Sequence, residues 1–207
     1  MRFSRRSIGI EDRLNQWLAE VAAGKTFISS QIFQGDARPT INKALVKKTK
    51  AGELMRVARG IYVKPRISAL VGPVPPGAES IALAIVAAEG AKLFAIGAAW
   101  ANFFDLTTQL TCTPTYLTSG RPHRIQLGRK GRLVLLRGST REIRLARFPA
   151  GRAILALEWA GRSEDPVVDI GKIQGHMAPD DFQRFLCEGE APGGWIAQAT
   201  HGFSSPG

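Results

Sequence analysis

Thr40, Lys43, Lys47 and Lys50 recur at intervals of three, four and three, which puts them on one face of a helix, with Arg38 and Asn42 near its start. Amide and guanidinium donors at the beginning of such a face suit the base edges of a DNA major groove, and ammonium groups further along suit phosphates. Arg56 and Arg59 follow in a short hairpin, where an arginine suits phosphate or a narrow minor groove. A second set of cations, Arg121, Arg124, Arg129, Arg132 and Arg144, lies far down the chain among strand candidates. It offers a second DNA contact or the surface for a macromolecular partner, with a solvated face paired to the acidic C-terminal region as the plain alternative. An ordinary amphipathic helix with a solvated lysine face also fits the first set, so that helix by itself leaves both readings open.

The charge distribution favours a polyanionic partner. The chain carries a net charge of +11, and it is blocky. Residues 1–66 hold 14 Lys and Arg against 5 Asp and Glu, and residues 121–152 hold ten bases against Glu142 alone. Residues 67–120 and 153–207 are net acidic. Concentrated positive charge binds nucleic acid because neutralised phosphates release their condensed counterions.

Catalytic chemistry finds little to use. The three histidines, His123, His176 and His201, stand in no metal-ligand spacing, and no CxxC, HExxH, GxSxG or phosphate-cradling glycine loop occurs. Ser119 lies close to His123, but neighbours in sequence seldom form a catalytic pair. Asp180 and Asp181 are explained as first-turn carboxylates of a helix. Neither a catalytic residue, a metal nor a cofactor is expected. Cys112 and Cys187 are expected to be small buried hydrophobes.

The elements that must position the first cations can be traced by periodicity. Ile10, Leu14, Trp17, Leu18 and Val21 make the apolar face of a first helix, and Thr26–Ile28 a short strand. Ser29 or Ser30 is expected to cap a brief second helix carrying Ile32 and Phe33. Asp36 is expected to cap the third helix, which accepts Pro39 in its first turn and packs through Ile41, Ala44 and Leu45. Two alternating runs, Leu54–Ala58 and Ile61–Lys64, flank Arg59-Gly60 as a hairpin. This is a helix-turn-helix followed by a wing.

The Pro/Gly-rich stretch near 72–77 reads as a domain boundary. Four segments follow: 1–66 as a winged-helix DNA-binding domain, 67–77 as linker, 78–195 as a small α+β domain, and 196–207 as a flexible tail. Helices are expected over 79–89, 97–104, 150–161, 167–175 and 179–188. Short strands are expected over 115–118, 124–127, 132–137 and 142–146, in an antiparallel sheet. The fold class is α+β. Hydrophobic residues at 44% with 22% charged indicate a globular chain, and the uncharged run Ile81–Ala88 is too short to span a bilayer. The basic N-terminus has no apolar segment after it, so the protein is expected in the cytoplasm, on the nucleoid when bound to DNA.

Two stretches carry a family resemblance. The run from Lys43 through Gly52-Glu-Leu-Met-Arg-Val-Ala-Arg-Gly-Ile-Tyr-Val-Lys-Pro65 resembles the winged helix of AbiEi-type abortive-infection antitoxins. Pro114-Thr-Tyr-Leu-Thr-Ser-Gly120, with a basic strand pair and a Gly-Arg helix after it, resembles their C-terminal domain. The similarity extends over most of residues 10–195. It implies a transcriptional autorepressor that binds operator repeats in its own promoter as double-stranded DNA. It also implies an antitoxin that opposes a nucleotidyltransferase-like toxin without a stable complex between them. An RNA- or tRNA-binding module, and a non-catalytic winged helix that binds protein, are the competing readings.

Overall fold

The structure, a computed structural model, describes residues 9–109, 112–128, 131–190 and 194–204. It is α+β and divides into two compact units, residues 1–91 with 124–133, and residues 92–123 with 134–207.

In the first unit, α1 (Ile10–Glu20) buries Leu14 and Leu18 against α2 (Arg38–Lys50), which contributes Ile41, Ala44 and Leu45. Between them run β1 (Thr26–Ile28) and a 3-10 turn (Ser29–Gln31). The turn stands where a second helix was expected. Its following residue, Ile32, is already extended at φ −85° and ψ 138°, and Phe33 takes the positive φ of 50°, so no helix propagates. After α2 come β2 (Met55–Ala58) and β3 (Ile61–Val63). The three strands form an antiparallel sheet in the order β1-β3-β2, pairing Phe27 with Tyr62 and Arg56 with Tyr62 on opposite edges of β3. A register shift between Arg56 and Ala58 bends β2 next to the turn. Gly60 supplies the positive φ of 75° that the turn needs. Trp17 meets Phe27 edge to face at 4.8 Å and joins the α1 face to the sheet.

The expected linker is structured. It contains a hairpin of β4 (Arg66–Ser68) and β5 (Gly72–Val74), with Ile67, Leu70 and Val71 exposed. The helix after it, α3 (Ala78–Ala88), groups with the first unit and not the second. It buries Ile81, Ala82, Ile85 and Val86, and Ser80 shares a hydrogen bond of 3.1 Å with Thr26 of β1. An apolar helix face needs a partner, and β1 is its nearest sheet.

The second unit contains β6 (Leu93–Ala95), α4 (Gly97–Phe103), β7 (Thr115–Thr118), α5 (Thr140–Leu145), α6 (Pro149–Ala160), α7 (Pro166–Gly175), α8 (Pro179–Glu190) and α9 (Trp195–Ser204). With β8 (His123–Leu127) and β9 (Gly131–Arg137), a sheet runs β6-β7-β9-β8. Contrary to expectation this sheet is mixed: β7 is antiparallel to β6 but parallel to β9. The strand expected over 142–146 is the helix α5. Ser139 accepts from the Glu142 amide and Glu142 from the Ser139 amide, a reciprocal cap that starts a helix there. The expected tail carries α9, whose Ile196 and Ala199 are buried. At the centre lies α6, with Ala150, Gly151, Ala153, Ile154, Leu155, Ala156 and Leu157 all buried.

Candidate nucleic-acid interface

Thr40, Asn42, Lys43, Lys47 and Lys50 are all exposed on α2. Thr40, Lys43, Lys47 and Lys50 share a face separate from the buried stripe of Ile41, Ala44 and Leu45, as the spacing requires, and Asn42 is exposed outside that row. Lys43 and Lys50 have no ion pair among the described residues. Lys47 donates from Nζ to the Glu11 carboxylate on α1 at 2.6 Å. That hydrogen bond, and then the charge attraction, hold the Glu11 carboxyl below its ordinary range and the Lys47 ammonium above its own. Lys48, turned inward, pairs with Glu53 at 2.7 Å.

Arg38 does not belong to the exposed set. Its guanidinium donates to the carbonyl oxygens of Ser29 at 2.7 Å, Ser30 at 2.9 Å and Ile32 at 3.3 Å. These are backbone acceptors left open by the short 3-10 turn, and a five-donor fork fits them. Asp36 does not cap α2 either. The preceding residue of the helix is Ala37, which has no side-chain cap, and Asp36 instead pairs with Arg13 at 2.9 Å. Arg13 also lies over the Phe33 ring, 4.7 Å from its centre. The turn before α2 is therefore tied down by two arginines.

Arg56 on β2 and Arg59 in the β2–β3 turn are exposed. The turn is anchored from behind by the Ser29 amide, which donates to the Gly60 carbonyl at 2.8 Å. Lys64, just past β3, caps the other end of α1 by donating to the carbonyls of Leu18 at 2.7 Å and Val21 at 2.8 Å.

The second cation set is not gathered into one unit. Arg124 and Arg132 group with the first unit, Arg121 and Arg144 with the second, and all four are exposed. Arg144 sits on α5 and not on a strand. Arg129 lies outside the described residues. Nearby bases have structural roles. Arg141 grips Glu158 with both terminal nitrogens at 2.6 and 2.9 Å, which raises its pKa, and Arg152 stacks on Trp100 at 4.8 Å.

These cations and the elements that carry them lie within one family match, over residues 13–182. The chain belongs to DUF6088, a family of unknown function. The match begins in α1 and ends in α8, so it takes in the greater part of both units. No curated protein and no solved structure matches the chain.

Other features of this family member were not legible in its sequence. His176, at the end of α7, lies 3.3 Å from the Asp105 carboxylate and against the rings of Phe103 and Phe104. Only the fold brings positions 105 and 176 together. Ser119 is occupied as an acceptor for the Lys92 amide at 2.9 Å. Both cysteines are exposed, against expectation: Cys112 lies outside any helix or strand, and Cys187 faces outward on α8, whose buried face is Phe182, Phe185 and Leu186. Among the described residues no cluster of His, Cys, Asp and Glu has the makings of a metal site. None of their helices is long and apolar enough to cross a membrane. An open groove of about 570 Å³ beside α1 is lined by Leu18, Lys48, Glu53, Lys64 and Pro65. Its charged groups are already paired with each other or with backbone carbonyls.

Proposed function

We propose that the first unit is a winged-helix DNA-binding domain, that the protein represses its own promoter, and that it is the antitoxin of a toxin–antitoxin pair. The order α1, β1, turn, α2, β2, β3, with β3 between the other two strands, supports this reading. In it α2 is the recognition helix, the 3-10 turn replaces the usual second helix, and the β2–β3 hairpin is the wing. The observation that carries the proposal is the exposed row Thr40, Lys43, Lys47 and Lys50, with Asn42 also exposed near its start, followed directly by a hairpin with Arg59 at its turn. Asn42 and Thr40 are the base readers, and Lys43, Lys47, Lys50, Arg56 and Arg59 the phosphate contacts.

The antitoxin role rests on the resemblance of residues 43–65 and 114–120 to AbiEi-type proteins. The second unit, with no base reader assigned to it, is the part that opposes a nucleotidyltransferase-like toxin, without a lasting complex and without catalysis of its own. The test is binding of the full chain to duplex DNA from upstream of its gene, against a scrambled duplex of equal length. Tighter binding to the upstream DNA is expected, and so is recovery of growth on co-expression with the neighbouring toxin. Equal affinity for both duplexes would remove the repressor role, and growth arrest despite co-expression would remove the antitoxin role.

A further inference from the structure

We infer that Glu11 is a built-in phosphate mimic: its carboxylate occupies Lys47 in the free protein and lowers the affinity for all DNA sequences. The inference rests on α2 being the DNA-reading helix. Lys47 and Glu11 face solvent, with 69% and 54% of their side chains exposed, yet they meet at 2.6 Å across two helices. The pair is not needed to seat α1 on α2, because Leu14, Leu18, Ile41 and Leu45 do that in the core. An isolated ion pair so exposed contributes little to stability.

It does contribute to the charge of the face. Lys43 and Lys48 also act on the Glu11 carboxylate, so this one anion sits in the positive field of three lysines. A DNA phosphate approaching Lys47 meets an ammonium whose partner is already present. To bind, it must displace a carboxylate that stays fixed to the first turn of α1 and repels it. Lys43 and Lys50, without such partners, carry no matching penalty. The Lys48–Glu53 pair is different in kind, since Lys48 is only 17% exposed and is turned inward.

The experiment compares wild-type protein with Glu11→Gln, Lys47→Ala and the double variant, each as the full chain. Binding is measured to a random-sequence duplex and to the upstream duplex over a range of salt. Glu11→Gln is expected to bind both about fivefold to tenfold tighter near roughly 0.1 M salt, because the phosphate that reaches Lys47 no longer has a carboxylate to displace and be repelled by. The gain should vanish in the Lys47→Ala background. Unchanged affinity in Glu11→Gln, where the wild type binds DNA, overturns the inference and leaves an ordinary surface pair. A gain that persists without Lys47 also overturns it, since Glu11 would then act as a general negative charge. A wild type that binds neither duplex at low salt defeats the DNA reading itself, which separates that failure from the others. Circular dichroism melting of each variant checks that all four proteins are equally folded.

Discussion

Arg38 and Asn42 stand four residues apart at the start of α2, and the sequence offers both as base readers. Their surroundings separate them. Arg38 donates to three backbone carbonyls of the preceding turn, whereas Asn42 is exposed. Arg38→Ala is accordingly expected to lower thermal stability, by about 1–3 kcal/mol for hydrogen bonds from a charged donor. An unchanged melting temperature would return Arg38 to the DNA-facing set. Asn42→Ala should leave the melting temperature alone and cost about 1–3 kcal/mol on the upstream duplex, while Lys47→Ala should weaken all duplexes alike. Competition binding to upstream and random DNA distinguishes the two, and equal losses everywhere would mean that Asn42 reads no base. The α2 cations were legible because helical spacing alone separates them from Ile41, Ala44 and Leu45. The engagement of Arg38 was not, because its acceptors exist only if the second helix fails to form.

Elements whose local signals agree with their packing were legible, as α1, α2, β2 and β3 illustrate. The failures have definite causes. Residues 142–146 alternate like a strand, but the Ser139–Glu142 cap starts a helix instead. The Pro/Gly-rich stretch after Gly72 looked like a linker because composition does not reveal that β4 and β5 pair or that α3 covers β1. Ser139→Ala should cost about 0.5–2 kcal/mol, as the loss of a helix cap does, and denaturant titration measures it. A larger effect belongs to α6. A Cβ on Gly151 would run into the backbone of Leu145, so α5 and α6 turn tightly there only because the side chain is absent. Gly151→Ala is expected to destabilise by about 1–3 kcal/mol, the range for overpacking. Wild-type stability in this variant would show that the α5–α6 corner can move apart.

For the whole molecule, positive charge is split between two units, and that division decides what each set of cations is asked to do. The block nature of the charge was evident in the sequence, but its assignment was not: Arg124 and Arg132 group with the first unit, Arg121 and Arg144 with the second. Reversing Arg132 and Arg144 to Glu one at a time tests each unit by itself. Loss of DNA affinity with an unchanged fold would make the reversed residue a second DNA contact, and loss of toxin rescue with DNA binding intact would assign that residue to the antitoxin surface. The central claim, that the first unit grips the phosphates of duplex DNA, is tested most directly by the salt dependence of binding. With about five phosphates neutralised, log K should fall against log salt with a slope of roughly −4 to −5. Affinity that stays constant between low and moderate salt would contradict it.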